Sequence, residues 1–172
     1  GSLLREGDWR PDADQAEVLA RYPAYFRAID YVSDRDSGHW EEERRRTASS
    51  VGAVVAGLEA LAAGLETAGV TVSGPHGPVE PALLRRQAEP GRVFLASVLP
   101  FESPPDRGAD AATLFLVEPL GVVDGAAAGA VIDLIERELM GPFGIRRYRG
   151  DSYWCADYRE LLAADRRSTD YS

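Results

Sequence analysis

A chain of 172 residues can bury one hydrophobic core, and nothing in its length asks for two domains. With 45% hydrophobic and 27% charged residues it has the composition of a folded protein, and its formal net charge of −9 argues against nucleic-acid and membrane partners by repulsion from phosphate and anionic lipid. Its one cysteine, Cys155, has no partner for an internal disulfide, and no charged-then-apolar leader precedes the first helical pattern, so a cytoplasmic setting is expected. Gly1 and Ser2 read as a remnant of tag removal, and residues 164–172 as a polar tail.

From Asp12 a capping-box pattern, with Gln15 three residues on, opens an amphipathic helix whose expected inner face is Val18, Leu19, Tyr22, Phe26 and Ile29. Pro23 predicts a kink or a restart within it, the second half carrying Tyr25, Phe26, Ile29 and Tyr31. A polar loop follows from Ser33 to Trp40. The clearest helix spans about Ser50 to Thr67, with Val51, Val54, Val55, Leu58, Leu61 and Leu65 at three- and four-residue intervals. Its small residues Gly52, Ala53, Ala56 and Gly57 suggest close approach of a neighbour.

A turn-rich stretch around Gly69, Gly74, Pro75, Gly77 and Pro78 leads to a short helix over Val79–Ala88. Residues 92–99 suit a buried strand as well as a helix. Ala109 to Glu118 is apolar on every side and is expected to be a central buried helix ending at Pro119. A last long helix covers about Gly125 to Met140, with Val131, Ile132, Ile135 and Leu139 on its inner face and Gly141-Pro142 as its stop. A loop from Phe143 to Trp154 and a short helix near Asp157–Ala163 complete the reading. The alternation of nearly apolar with amphipathic helices predicts an all-α fold in two layers, an inner one sheltered by an outer one.

Two clusters have the residue types for chemistry. The first is Asp34, Asp36, His39, Trp40, Glu41, Glu42 and Glu43, followed by Arg44, Arg45 and Arg46. Such a run also reads as a solvated face whose acids sit at the positive end of a helix. An aromatic ring beside a carboxylate nevertheless suits sugar chemistry, because the ring stacks on the apolar face of the sugar while a partly desolvated acid protonates the leaving oxygen. The second cluster is the loop with Arg146, Arg147, Tyr148, Arg149, Asp151, Ser152, Tyr153, Trp154, Asp157 and Tyr158. It reads as a surface loop with aromatics tucked inward, or as a platform for hydroxyl-rich ligands. His39 and His76 lack a second ligand at metal spacing, and there is no phosphate loop or nucleophile elbow, so neither a metal nor a cofactor is expected.

The run Asp36-Ser37-Gly38-His39-Trp40-Glu41-Glu42, then Ala48-Ser49-Ser50-Val51-Gly52 and Ala56-Gly57-Leu58, resembles glycoside hydrolase family 15 and the glucoamylase-like domain of the phosphorylase kinase alpha and beta subunits. The run Gly144-Ile145-Arg146-Arg147-Tyr148 with Gly150-Asp151-Ser152-Tyr153-Trp154 looks like the arginine-tyrosine loop of that family. The resemblance covers about Trp9 to Tyr158. It implies part of an (α/α)6 toroid binding a glucan or oligosaccharide, and inverting hydrolysis of α-glucosidic bonds. Glu41 matches the general acid, with Glu42 beside it, and Trp40, Arg147, Tyr148, Asp151, Tyr153 and Trp154 match or neighbour sugar-binding positions.

Departures accompany the match. Domains of this family run to roughly twice the length, as twelve helices of common size require, so a single partial domain is expected here. The tryptophan, arginine and aspartate segment that precedes the acid motif has no counterpart in residues 1–35, and no general base is found. Three expectations follow: a hydrolase component, a non-catalytic sugar-sensing module, or a helical scaffold that self-associates or pairs with the remainder of its domain.

Overall fold

The computed structural model describes residues 10–40, 44–74, 77–103 and 108–149. Helices dominate them: α1 (Ala13–Ala28), α2 (Ala48–Ala68), α3 (Pro81–Val98), α4 (Leu114–Val117, entered through a 3₁₀ turn at Ala111–Thr113) and α5 (Gly125–Leu139). Two antiparallel hairpins of two-residue strands accompany them, β1 (Ser73–Gly74) with β2 (Gly77–Pro78) and β3 (Met140–Gly141) with β4 (Gly144–Ile145). The fold is therefore all-α in class. The chain forms two compact units, Gly1–Asp34 with Val51–Phe94, and Arg35–Ser50 with Leu95–Ser172.

In the first unit α1 starts as its sequence predicts. Asp12 accepts from the Gln15 amide at 2.9 Å and Gln15 Oε1 accepts from the Asp12 amide at 3.1 Å, a reciprocal capping box. Pro23 does not interrupt the helix. Its carbonyl takes a hydrogen bond from Gln87 Nε2 at 2.8 Å. The inner face is also not the one expected: Ala20 and Pro23 are buried while Val18 and Tyr22 are half exposed. Small side chains win because β1 comes so close that a Cβ on Gly74 would lie 3.0 Å from the Ala20 Cβ.

α2 buries Val51, Val55, Leu58, Leu61 and Leu65 of the stripe read from its spacing, together with Ala62, while Val54 is only partly buried. By length and composition this 21-residue helix is apolar enough to cross a membrane, and 56% of that window is buried within the protein. Gly57, read as a point of close approach, has open space where a side chain would stand. The close approach is at Gly91 of α3, where a Cβ would meet Val55 Cγ2 at 2.5 Å and Tyr31 Oη at 2.7 Å. The short helix and the undecided segment after it are one helix, α3, running through Pro90. Its stripe of Leu84, Ala88, Leu95 and Val98 keeps helical spacing across the Pro90-Gly91 pair.

In the second unit Val131, Leu134, Ile135 and Leu139 of α5 pack with Ala109, and Leu99, Ala111, Leu114 and Val117 close around them. Ile132, expected on the inner face of α5, is 39% exposed. The central helix expected over Ala109–Glu118 is a 3₁₀ turn followed by a single α turn, with Phe115 at 40% exposure. The cause is local. Asp110 accepts the Ala112 amide through its side chain at 3.0 Å and the Thr113 hydroxyl through its carbonyl at 2.8 Å, bonds that tighten the chain before an α-helix is established. After α5, residues 140–145 turn back as the β3–β4 hairpin where a stop and a loop were expected.

Candidate functional site

The candidate site lies in the second unit, where a clamped loop, a 3₁₀ turn and the segment after β4 meet. Asp36 and Arg45 pair as an antiparallel bridge, with Asp36 N to Arg45 O at 3.1 Å and Arg45 N to Asp36 O at 2.7 Å, which ties the two ends of the loop together. Asp36 Oδ1 also accepts the Gly38 amide at 2.8 Å, and Gly38 turns the chain with φ of +67°, a left-handed conformation that glycine adopts without strain. The loop so closed carries His39 and Trp40. A second bridge joins Asp110 to Tyr148, and the Ala111 amide donates to the Arg147 carbonyl at 2.7 Å, which brings the arginine-tyrosine segment to the same place.

The side chains complete the assembly. Trp40 Nε1 donates to Asp110 Oδ1 at 2.7 Å. The Arg147 guanidinium carbon stands 5.5 Å from the centroid of the Trp40 ring and 5.3 Å from that of Tyr148, within cation–π range of both. His39 packs edge-on against Trp40 with centroids 4.6 Å apart, and against Phe115 at 4.3 Å. Tyr148 is buried, so its ring supports the guanidinium from within, whereas Trp40 and Arg147 are partly exposed and His39 is exposed.

Of the residues singled out from sequence, Trp40, Arg147 and Tyr148 are thus brought together. Glu41, Glu42, Asp151, Tyr153 and Trp154 lie outside the described residues, as does the short helix expected near Asp157–Ala163. Sequence reasoning missed Asp110, Phe115 and Glu102. Asp110 precedes an apolar run and looks like an ordinary start signal, and the exposure of Phe115 depends on how short its helix turns out to be.

Glu102 is 4% exposed. Its carboxylate accepts the Ser49 amide, with Oε2 at 3.1 Å, and the Ser49 hydroxyl, and its carbonyl accepts the Ala48 amide at 2.6 Å, so one residue satisfies the first free donors of α2. Burial pushes the Glu102 carboxyl up to about 8; the Ser49 bonds oppose this and the nearby Asp110 and Asp36 add to it. No sequence signal marks it, since its partners lie 53 residues away.

A cavity of about 110 Å³ lies within the first unit, lined by Ala20, Pro23, Arg27, Glu80, Leu83 and Gln87 among others. It contains none of the sequence candidates and is smaller than the several hundred Å³ that small-molecule sites usually occupy. The aromatic and guanidinium cluster of the second unit is the better candidate. Comparison of the chain with protein-family models, with curated proteins and with solved structures gives no match.

Proposed function

We propose that this chain is a carbohydrate-binding protein of glucoamylase-like lineage, whose Trp40, Arg147 and Tyr148 form part of a site for a glucan or oligosaccharide. The observation that carries the reading is the stacking of Arg147 on Trp40, two residues 107 positions apart that belong to two separate motifs of one resemblance. A partly exposed indole covers the apolar face of a pyranose, and a planar guanidinium beside it donates in-plane hydrogen bonds to hydroxyl oxygens. No carboxylate is needed for binding. Hydrolysis by this lineage needs an acid, a role that falls to Glu41 with Glu42 beside it, and a second carboxylate about 6.5 to 9.5 Å away to hold the attacking water. The helices belong, in this reading, to an (α/α)6 toroid.

Calorimetric titration with maltose, maltotriose and acarbose, beside a glucose-release assay on the same sample, tests the proposal. Saturable binding is expected. Replacing Trp40 by Ala should weaken it by about 1–3 kcal/mol, the value of burying one large apolar side chain against the ligand. Glucose release that Glu41→Gln abolishes would assign hydrolysis, and binding without release would assign sensing. Absence of any binding overturns the reading.

A further inference from the structure

An indole has one hydrogen-bond donor and turns about two side-chain bonds. Trp40 sits on a loop, outside any helix or sheet, so nothing in its own backbone holds the plane of its ring. His39 and Arg147 pack against the ring, and its one directed bond among the described residues is to the Asp110 carboxylate, 1% exposed, whose Oδ1 receives the indole N–H at 2.7 Å. Sheltered from water, that bond is stronger than the same bond on the surface, and leaving either partner unpaired costs more. The carboxylate is itself immobilised, because Oδ1 also accepts the Ala112 amide of the 3₁₀ turn at 3.0 Å.

The backbone of the same residue acts on the other half of the site. Asp110 bridges Tyr148, and the next amide, that of Ala111, donates to the Arg147 carbonyl at 2.7 Å. Loop 36–45 and segment 146–148 thus share one buried neighbour, and the stacking of the guanidinium on the indole depends on both being in register with it.

We infer that Asp110 is the positioning residue of this site: its carboxylate sets the plane of the Trp40 ring and its backbone sets the place of Arg147, so that ring and guanidinium meet one sugar together. The inference rests on the sugar-binding reading above and adds a residue that touches no sugar itself. Two changes separate positioning from general support of the fold. Asp110→Asn keeps an oxygen that accepts both N–H groups, whereas Asp110→Ala removes it. Trp40→Phe keeps an aromatic ring but removes the donor to Asp110 together with part of the stacking surface, and the double variant separates the two losses.

The experiment measures acarbose affinity by calorimetry for wild type, Asp110→Asn, Asp110→Ala, Trp40→Phe and the Asp110→Ala/Trp40→Phe double variant. The Trp40 indole N–H resonance is followed by NMR, without sugar, in wild type, Asp110→Asn and Asp110→Ala. Expected are Asp110→Asn within about threefold of wild type, Asp110→Ala and Trp40→Phe each weaker by about tenfold, and a double variant no worse than the weaker single one, the non-additivity of residues that act through one contact. The resonance should be protected from exchange in wild type and Asp110→Asn and lose that protection in Asp110→Ala. If Asp110→Ala fails to fold, Trp40→Phe decides: native affinity without the N–H overturns the inference. Additive losses, or an unprotected wild-type N–H, overturn it while leaving sugar binding in place. A wild type that binds no sugar overturns the sugar-binding reading and this inference with it.

Discussion

The two units bury different things. In the first, the interior is made of apolar and small side chains with the aromatic rings of Tyr31 and Phe94, and its ion pairs, Arg21 with Glu17, Arg85 with Glu66 and Arg92 with Glu59, stay at the surface. The second buries Thr47, Ser49, Glu102, Asp110 and Thr113, every buried hydroxyl, carboxyl or other polar side chain among the described residues apart from the tyrosines. Buried polar groups are costly unless paired; Ser49, Glu102, Asp110 and Thr113 are paired in bonds at helix starts, whereas the Thr47 hydroxyl has no partner among the described residues. The first unit is held mainly by apolar packing, and the second adds to its own apolar core buried hydrogen bonds that also assemble its candidate site.

The comparison is sharpest at Glu102. Its carboxyl is pushed up to about 8 from an ordinary value of 4.5, so the folded state holds a proton that the unfolded state releases. The associated stability is fully present below about pH 4.5 and is lost as the pH rises through about 8. The loss is on the order of 5 kcal/mol, and Glu102→Gln, with no proton to lose, should flatten it. Denaturant titrations from pH 5 to 9 on both proteins measure this. A wild-type profile as flat as that of the variant would remove the buried acid from the account.

Next in size is a change in the first unit that adds matter without polarity. Gly91→Ala sets a methyl group against Val55 and Tyr31 and should cost about 1–3 kcal/mol, the usual range for overpacking. Thermal melts at one pH read it, and an unchanged midpoint would mean that α3 yields there at little cost. Tyr31→Phe probes a long-range polar tie of that unit, the hydroxyl donating to the Gln87 carbonyl at 2.9 Å, and should cost about 0.5–1.5 kcal/mol. A larger loss would show that hydrogen bonds matter in the first unit as they do in the second. Smallest of all is Arg85→Ala, which removes an exposed pair with Glu66; its melting midpoint should stay within error of wild type at 0.15 M salt.

Local signals were legible where one segment decides the outcome. The Asp12 capping box, the α2 stripe and the extent of α5 follow from residues within a few positions of each other, because caps and helical faces are short-range geometry. Reading failed where a distant neighbour decided. The inner face of α1 turns on the approach of Gly74, and the continuity of α3 through Pro90 on packing that outweighs a lost backbone bond. The short helix after Asp110 reflects bonds that compete with helix formation.

For the site the division is similar. The residue types of the two motifs, Trp40 in one and Arg147 with Tyr148 in the other, stand in the chain for anyone to read, since a ring and a planar cation have their chemistry wherever they fall. That they meet, and that Asp110 lies between them as their common partner, depends on bridges spanning 38 and 70 positions. No periodicity extends so far along a chain. Helix class and side-chain chemistry are properties of neighbouring residues, whereas the register of two loops against a buried carboxylate exists only once the fold has excluded water from it.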